Sequence, residues 1–166
     1  MKSFVNLLDN LLARVLVLLM LGLVGSVLWQ VISRYALGTP SSWTEEMARF
    51  LLIWISLLGA AYAFRSGMHL ALDILQGKVS GVSAAWLKGF TLFCVLVFSA
   101  AVLLVGGGSL VFLTWELKQY SAVLGLPMAY VYSVIPVTGV LICFYSFAAF
   151  KEEQIGESPD AVAPGE

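Results

Sequence analysis

Four long apolar spans, each nearly free of charge, are the feature of this sequence that most limits its fold. They cover residues 15–33, 50–64, 89–115 and 119–150. A transmembrane α-helix needs about 20 apolar residues, so each span with its flanks predicts one crossing. The spans show no alternation with a period of two, which argues against an outer-membrane β-barrel. The sequence therefore predicts an all-α integral membrane protein with four transmembrane helices.

The composition excludes a soluble domain and several kinds of site. Hydrophobic residues make up 60% of the chain and charged residues 11%, whereas soluble domains are about half apolar and a quarter charged. The first apolar run continues to Ile32, beyond the core of about 7–15 residues in a signal peptide, so we expect it to be retained as a helix. Cys94 and Cys143 lie within apolar spans with no second Cys or His nearby. No disulfide or metal site is predicted from such spacing.

The flanking residues set approximate bounds for each segment. The helices are predicted at about residues 12–35, 43–64, 86–115 and 127–150. A short amphipathic helix at about residues 67–78 should lie along the membrane interface between the second and third of them. The last segment, residues 151–166, carries five acidic residues, two Pro and two Gly. Such a composition predicts a disordered acidic tail.

The distribution of Lys and Arg predicts the orientation, because these residues are enriched in cytoplasmic loops. With the N-terminus in the cytoplasm, six of them fall on the inner side and three on the outer side. The inner set is Lys2, Arg14, Arg65, Lys78, Lys88 and Lys151, and the outer set is Arg34, Arg49 and Lys118. Both termini are therefore predicted to be cytoplasmic, together with the acidic tail.

The second helix opens with SSWTEEMARF, which places three charges at a membrane boundary. Ser42 and Glu45 match the capping box S-x-x-E, so Ser42 is predicted to cap the helix. The uncharged run that follows, residues 50–64, spans only about 22 Å of helix, against a hydrocarbon core of about 30 Å. Either this helix crosses a thinned bilayer, or Glu46 and Arg49 lie near or below the interface, where charges face protein, water or a partner charge.

These charges predict a polar cluster at the outer face whose role is assembly with a protein or a lipid. Arg34, across a short turn, is an available partner for the carboxylates. Transport of an ion is the weaker interpretation, since the carboxylates lie in the first turn of the helix and not at mid-membrane. The predicted cluster consists of Arg34, Trp43, Glu45, Glu46 and Arg49.

A second polar pattern follows the second helix. Arg65, His69, Asp73 and Gln76 fall within an arc of about 80° on a helical wheel. This arrangement predicts a polar stripe facing solvent or headgroups at the cytoplasmic interface. A metal site is not favoured, because His69 and Asp73 have no third ligand nearby.

Glycines and prolines mark special positions in the last two helices. The run of three glycines at residues 106–108 would permit close backbone approach or a bend within the third helix. Pro127 is suited to the first turn of the fourth helix, and Pro136 should kink its interior.

Three passages carry a family resemblance. The first is WQVISRY at residues 29–35, followed by WTEEMARFLLIW at residues 43–54. The second is R-x-G-x-H-x-x-x-D at residues 65–73, and the third is S-x-x-L-x-x-P at residues 121–127, with Tyr132 and Pro136 beyond it. In this order on four helices, they resemble the small membrane subunit, or DctQ type, of tripartite ATP-independent periplasmic (TRAP) transporters. The resemblance extends from about residue 10 to 150.

The resemblance implies a multi-pass protein of the bacterial inner membrane without catalytic activity or a cofactor of its own. Its expected partners are a large permease subunit, a periplasmic substrate-binding protein and membrane lipids, with no role for nucleic acid. The large subunit would hold the substrate and the sodium ions. The small subunit would act as a scaffold while an ion gradient drives uptake of an organic acid.

Two other functions are compatible with a small four-helix protein. A self-sufficient proton-coupled exporter would use Glu45 or Glu46 to alternate between protons and cationic drugs. A haem-binding membrane anchor would need axial ligands such as His or Met. His69 is the single histidine of the sequence, so bis-histidine ligation within one chain is impossible.

Overall fold

The computed structural model describes the backbone of residues 2–39, 41–65 and 82–154, with side chains over 5–39, 41–65 and 89–148. Its helices are α1 (Lys2–Ala36), α2 (Ser42–Arg65), α3 (Val82–Phe98, Ser99–Gly106 and Gly107–Glu116 in succession) and α4 (Met128–Tyr132 and Val134–Gln154). Four helices are long and apolar enough to cross a membrane, and the described ranges contain no strand. The predicted all-helical fold with four spanning helices is confirmed.

Two of the predicted segments lie outside the described residues. They are the amphipathic helix at about residues 67–78, which includes His69, Asp73 and Gln76, and the part of the acidic tail after Gln154. The interfacial helix and the cytoplasmic placement of both termini stay predictions.

The first and last helices are longer than predicted. α1 begins at Lys2, not near residue 12, and its 35 residues extend about 52 Å. α4 continues four residues past Phe150, because the segment from Lys151 to Gln154 consists of good helix formers and contains no Pro or Gly. Hydropathy underestimated the length of both helices, because it detects only their apolar part and not the polar turns at their ends.

The helices form an open row in the order α1, α2, α4, α3. α2 packs against α1 on one side and α4 on the other, and α4 also packs against α3. No comparable packing joins α1 to α3 within the described residues. The row has a terminal end, which holds Lys2, Arg65 and Gln154, and a loop end, which holds residues 37–39, Ser41 and residues 117–127. A row of this kind has little interior, so much of the apolar surface of its helices is exposed to lipid or to another protein.

The contact between α3 and α4 is unusually close. A Cβ added at Gly107 would lie 2.6 Å from Ile135 Cγ2, and one at Gly139 would lie 2.9 Å from Leu103 Cβ. The Ser99 hydroxyl donates to the Gly139 carbonyl at 3.0 Å, in a buried position. This contact involves the wider π-helical turns of Ser99–Gly106, and π turns inside α-helices are rare. Small residues therefore allow the two backbones to approach, as is common between membrane helices.

α4 is interrupted at Ser133, one turn before Pro136. Proline has no backbone N–H to donate to the carbonyl four residues earlier, and its ring clashes with that carbonyl. The helix is therefore interrupted one turn before Pro136 and not at Pro136 itself. The Trp54 indole of α2 donates to the Val131 carbonyl at 3.1 Å, close to this break. Pro127 lies immediately before the helix in an extended conformation, with φ −60° and ψ 123°.

Candidate functional site at the loop end

The connection between α3 and α4 is an ordered hairpin loop, residues 119–128. Met128 donates its backbone N–H to the Gln119 carbonyl at 2.9 Å, and Ser121 donates to the Leu126 carbonyl at 2.9 Å. Gly125, with φ 63°, supplies the left-handed backbone that this tight connection requires. These bonds satisfy polar backbone groups that would otherwise be costly next to a membrane.

α3 enters the hairpin loop through a Schellman motif without glycine. Gln119 donates its backbone N–H to the Thr114 carbonyl and Lys118 donates to the Trp115 carbonyl, both at 3.1 Å. Lys118 occupies the left-handed position of this motif with φ 47°, where glycine is usual. The direction in which the chain leaves α3 is therefore set by the backbone.

Glu46 binds the tip of the hairpin loop. Its carboxylate accepts backbone N–H groups from Ala122 at 3.2 Å, Val123 at 3.1 Å and Leu124 at 2.9 Å. Leu124 also donates to the Ser121 hydroxyl at 3.3 Å. Hydrogen bonds to an ionised acceptor are stronger than neutral ones. One side chain at the start of α2 thus holds the connection between α3 and α4.

The neighbouring charges behave differently. Arg49 pairs with Glu45 across one helical turn at 3.3 Å, with side chains 65% and 63% exposed, and exposed pairs of this kind contribute little to stability. Arg34 is exposed and makes no ion pair with either glutamate in the described structure, so the expected partnership is wrong. Trp43 is 45% exposed. Within the predicted cluster, Glu46 therefore supports the hairpin loop, whereas the other charged side chains face solvent.

The predicted cap of α2 is wrong by one residue. The helix begins at Ser42, so Ser41 occupies the cap position. The Thr44 hydroxyl, fully buried, donates to the Ser41 carbonyl at 2.8 Å and lies 2.6 Å from the Ser41 hydroxyl. The Ser33 hydroxyl of α1 donates to Ser41 at 3.1 Å. Hydroxyl contacts among Ser33, Ser41 and Thr44 thus link the end of α1 to the start of α2, and a local capping pattern carries no information about the preceding helix.

Sequence reasoning also missed a site at the terminal end of the row. Arg65, which we expected in an interfacial stripe, lies 3.5 Å from Asp9 through its Nε atom and the Asp9 Oδ2 atom. Asp9 is the single acidic residue before Glu45 in the sequence. Its position between Val5 and Leu12 on one helical face was the available signal, because a carboxylate within an apolar stripe needs a partner.

The two sites link helices and loops of the chain. Among the described residues, neither site contains side chains arranged for catalysis. Within the described ranges, no group of three His, Cys, Asp or Glu side chains converges as metal ligands. The carboxylates of Asp9, Glu45 and Glu46 are all engaged by other groups of the chain. An open row of membrane helices, fastened by polar contacts at both ends, defines a small multi-pass membrane subunit.

Comparison with known proteins gives the family. The family model for tripartite ATP-independent periplasmic transporters, DctQ component, matches residues 23–154. This chain belongs to that family, and the resemblance seen in the three sequence passages is confirmed.

Individual relatives are small permease proteins of transporters, not enzymes. The chain is 30% identical to a putative TRAP transporter small permease protein of Haemophilus influenzae, over 70% of each chain. It is 30% identical to the C4-dicarboxylate TRAP transporter small permease protein DctQ of Rhodobacter capsulatus, over 74% of this chain and 54% of the relative. It is 28% identical to the sialic acid TRAP transporter small permease protein SiaQ of Vibrio cholerae, over 87% and 82%.

A longer relative indicates the partner. The sialic acid TRAP transporter permease protein SiaT of Haemophilus influenzae is 25% identical over 76% of this chain, which covers 20% of SiaT. A region like this chain is therefore joined there to a much longer permease sequence. Small permease subunits of this family pair with a large permease subunit.

Proposed function

We propose that this chain is the non-catalytic scaffold of a three-part transporter in the bacterial inner membrane. It would hold a large permease subunit while an inward sodium gradient drives uptake of an organic acid. A periplasmic binding protein would deliver that acid, and the large subunit would bind both the acid and the sodium ions. Lipids would cover the remaining apolar surface.

The match to small permease subunits over residues 23–154 is the observation that carries the proposal. Two relatives are named for a C4-dicarboxylate and for sialic acid, which supports an organic acid as the substrate class. The open row supports a scaffold, since it offers apolar surface to a partner and has little interior for a substrate path. On the predicted orientation, the hairpin loop would face the periplasm and the binding protein.

The geometry argues against the exporter alternative. A carboxylate that alternates between protons and cationic drugs needs to be free and accessible from both sides of the membrane. Glu46 instead accepts three backbone N–H groups, and Glu45 pairs with Arg49 at the loop end. Drug resistance conferred by this chain without a partner would contradict our proposal.

Reconstitution of the complete transporter tests the proposal. The chain is co-expressed and co-purified with a large TRAP permease subunit from its own organism and placed in proteoliposomes with a periplasmic binding protein of the same organism. Labelled succinate and sialic acid serve as probes under inward sodium or potassium gradients. We expect uptake of one probe that requires all three proteins and sodium. Failure of the chain to co-purify, or uptake that persists without it, would refute the scaffold role.

A further inference from the structure

The terminal end of the row contains a carboxylate that is enclosed by apolar neighbours. Asp9 lies four residues after Val5 and three before Leu12, so the three share one face of α1. Val5 is 2% exposed and Leu12 is 8% exposed, and the Asp9 side chain is 25% exposed. A charge in such surroundings is costly unless other groups compensate for it.

Side chains from two other helices engage both oxygens of Asp9. The Tyr145 hydroxyl of α4 donates to Oδ1 at 2.7 Å. The Arg65 guanidinium of α2 approaches Oδ2 at 3.5 Å through Nε, and its side chain is 28% exposed. Tyr145 is 1% exposed, so the hydroxyl that binds the carboxylate belongs to a side chain buried among the helices. Tyr145 thus supplies a hydrogen bond to Asp9, and Arg65 supplies the opposite charge.

The contact with Tyr145 has a particular consequence in a row of this order. The backbones of α1 and α4 make little direct contact, and each helix packs mainly against α2. At the terminal end, however, Val5 and Leu12 of α1 share a buried apolar cluster with Tyr145 of α4. The Tyr145–Asp9 hydrogen bond therefore adds a directional polar link to an apolar contact between two helices whose backbones stay apart. Arg65, in the last turn of α2, completes the connection among all three.

We infer that Asp9 is a positioning residue that clamps the terminal ends of α1, α2 and α4 together. The apolar cluster at this end contains few fully buried side chains, and apolar packing is not directional. The hydrogen bond and the ion pair of Asp9 would therefore fix the relative positions of the helix ends. With the clamp in place, a force on the beginning of α1 moves α2 and α4 as well. This inference concerns the chain itself and does not depend on the proposed transport function.

Distances between spin labels test the clamp in the full-length chain. Cys94 and Cys143 are first replaced by Ser, and the chain is placed in lipid nanodiscs. Labels are attached at Leu7→Cys and Phe147→Cys, whose side chains are 65% and 60% exposed. We expect a single narrow distance peak with Asp9 present and loss of that peak in Asp9→Ala. A second label pair at Tyr35 and Tyr130, 82% and 60% exposed, should be unaffected.

Conservative variants separate the clamp from a general loss of folding. Asp9→Asn keeps a hydrogen-bond acceptor but removes the charge that faces Arg65, and Tyr145→Phe removes only the hydroxyl. Each should broaden the peak, and their combined effect on the unfolding temperature should be less than additive, as for residues in contact. Asn10→Ala, at an exposed neighbouring position, is the matched control. A narrow peak in a folded Asp9→Ala variant, or additive effects of Asp9→Asn and Tyr145→Phe, would overturn the inference.

Discussion

Glu45 and Glu46 are adjacent and chemically identical, yet the fold gives them different tasks. Glu45 pairs with Arg49 in a largely exposed position. Glu46 points towards the hairpin loop and accepts N–H groups from residues 122–124. Successive residues of a helix project about 100° apart, so only one of the two can face the loop. The difference between them therefore arises from helical phase.

At the residue scale, Glu46→Ala should release the hairpin loop, whereas Glu45→Ala should have little effect. Without the carboxylate, the N–H groups of Ala122, Val123 and Leu124 lose their acceptor. We expect their hydrogen exchange to accelerate on the order of tenfold, as in locally opened segments. Exchange measured by mass spectrometry on the chain in nanodiscs checks this. Equal acceleration in the two variants would show that helix-terminal charge, not the direct contact, orders the loop.

At the scale of elements, the pairing of α3 with α4 depends on which glycine faces the neighbouring helix. Gly107 lies against Ile135 and Pro136, whereas a Cβ added to the adjacent Gly108 would meet nothing within 4 Å. The break of α4 before Pro136 and the π-helical turns of α3 belong to the same contact region. Close approach at this position thus determines how the last two helices meet.

Gly107→Ala should therefore destabilise the chain by about 1–3 kcal/mol, the usual effect of overpacking. Gly108→Ala should be neutral or stabilising by about 0.5–1 kcal/mol, because alanine is the better helix former. Thermal or denaturant unfolding in detergent compares the two variants with the unmodified chain. A stabilising effect of Gly107→Ala would mean that α3 and α4 are farther apart than the structure places them.

At the scale of the whole molecule, the open row leaves broad apolar faces that lipid or a larger subunit would cover. α1 and α3 are at the two edges of the row, and the membrane-spanning windows of both are only 6% buried within the chain. In a membrane there is no hydrophobic driving force between apolar helices, so association relies on packing and polar contacts. The row is therefore held by its polar ends and by small residues, with broad apolar faces left over.

Pairing with the large permease should consequently raise the unfolding temperature of this chain. A partner that binds only the folded state stabilises it by about 2.7 kcal/mol when present at about a hundredfold excess over Kd. For a chain of this size, that corresponds to about 5–10 °C. Unfolding of the purified chain is compared with that of the co-purified complex in the same detergent. Identical unfolding temperatures would indicate that the row needs no partner for its stability.

Much of this protein was predictable from local sequence. Runs of apolar residues predicted the membrane class and the number of crossings, because transfer of a helix into lipid depends on its own side chains. Three short passages sufficed for the family. Pro127 and Pro136 indicated where the last helix begins and where it is interrupted, since a proline restricts its own backbone wherever it occurs.

The order of the helices and the partners of the charges were decided only by the tertiary structure. Glu46 binds groups 76 to 78 residues away, and Asp9 binds a hydroxyl 136 residues away. The hydroxyl of Ser33, on another helix, donates to Ser41 immediately before α2. These contacts depend on which helices are neighbours and on which faces they share. Hydropathy carries no such information, because lipid and protein neighbours are equally apolar.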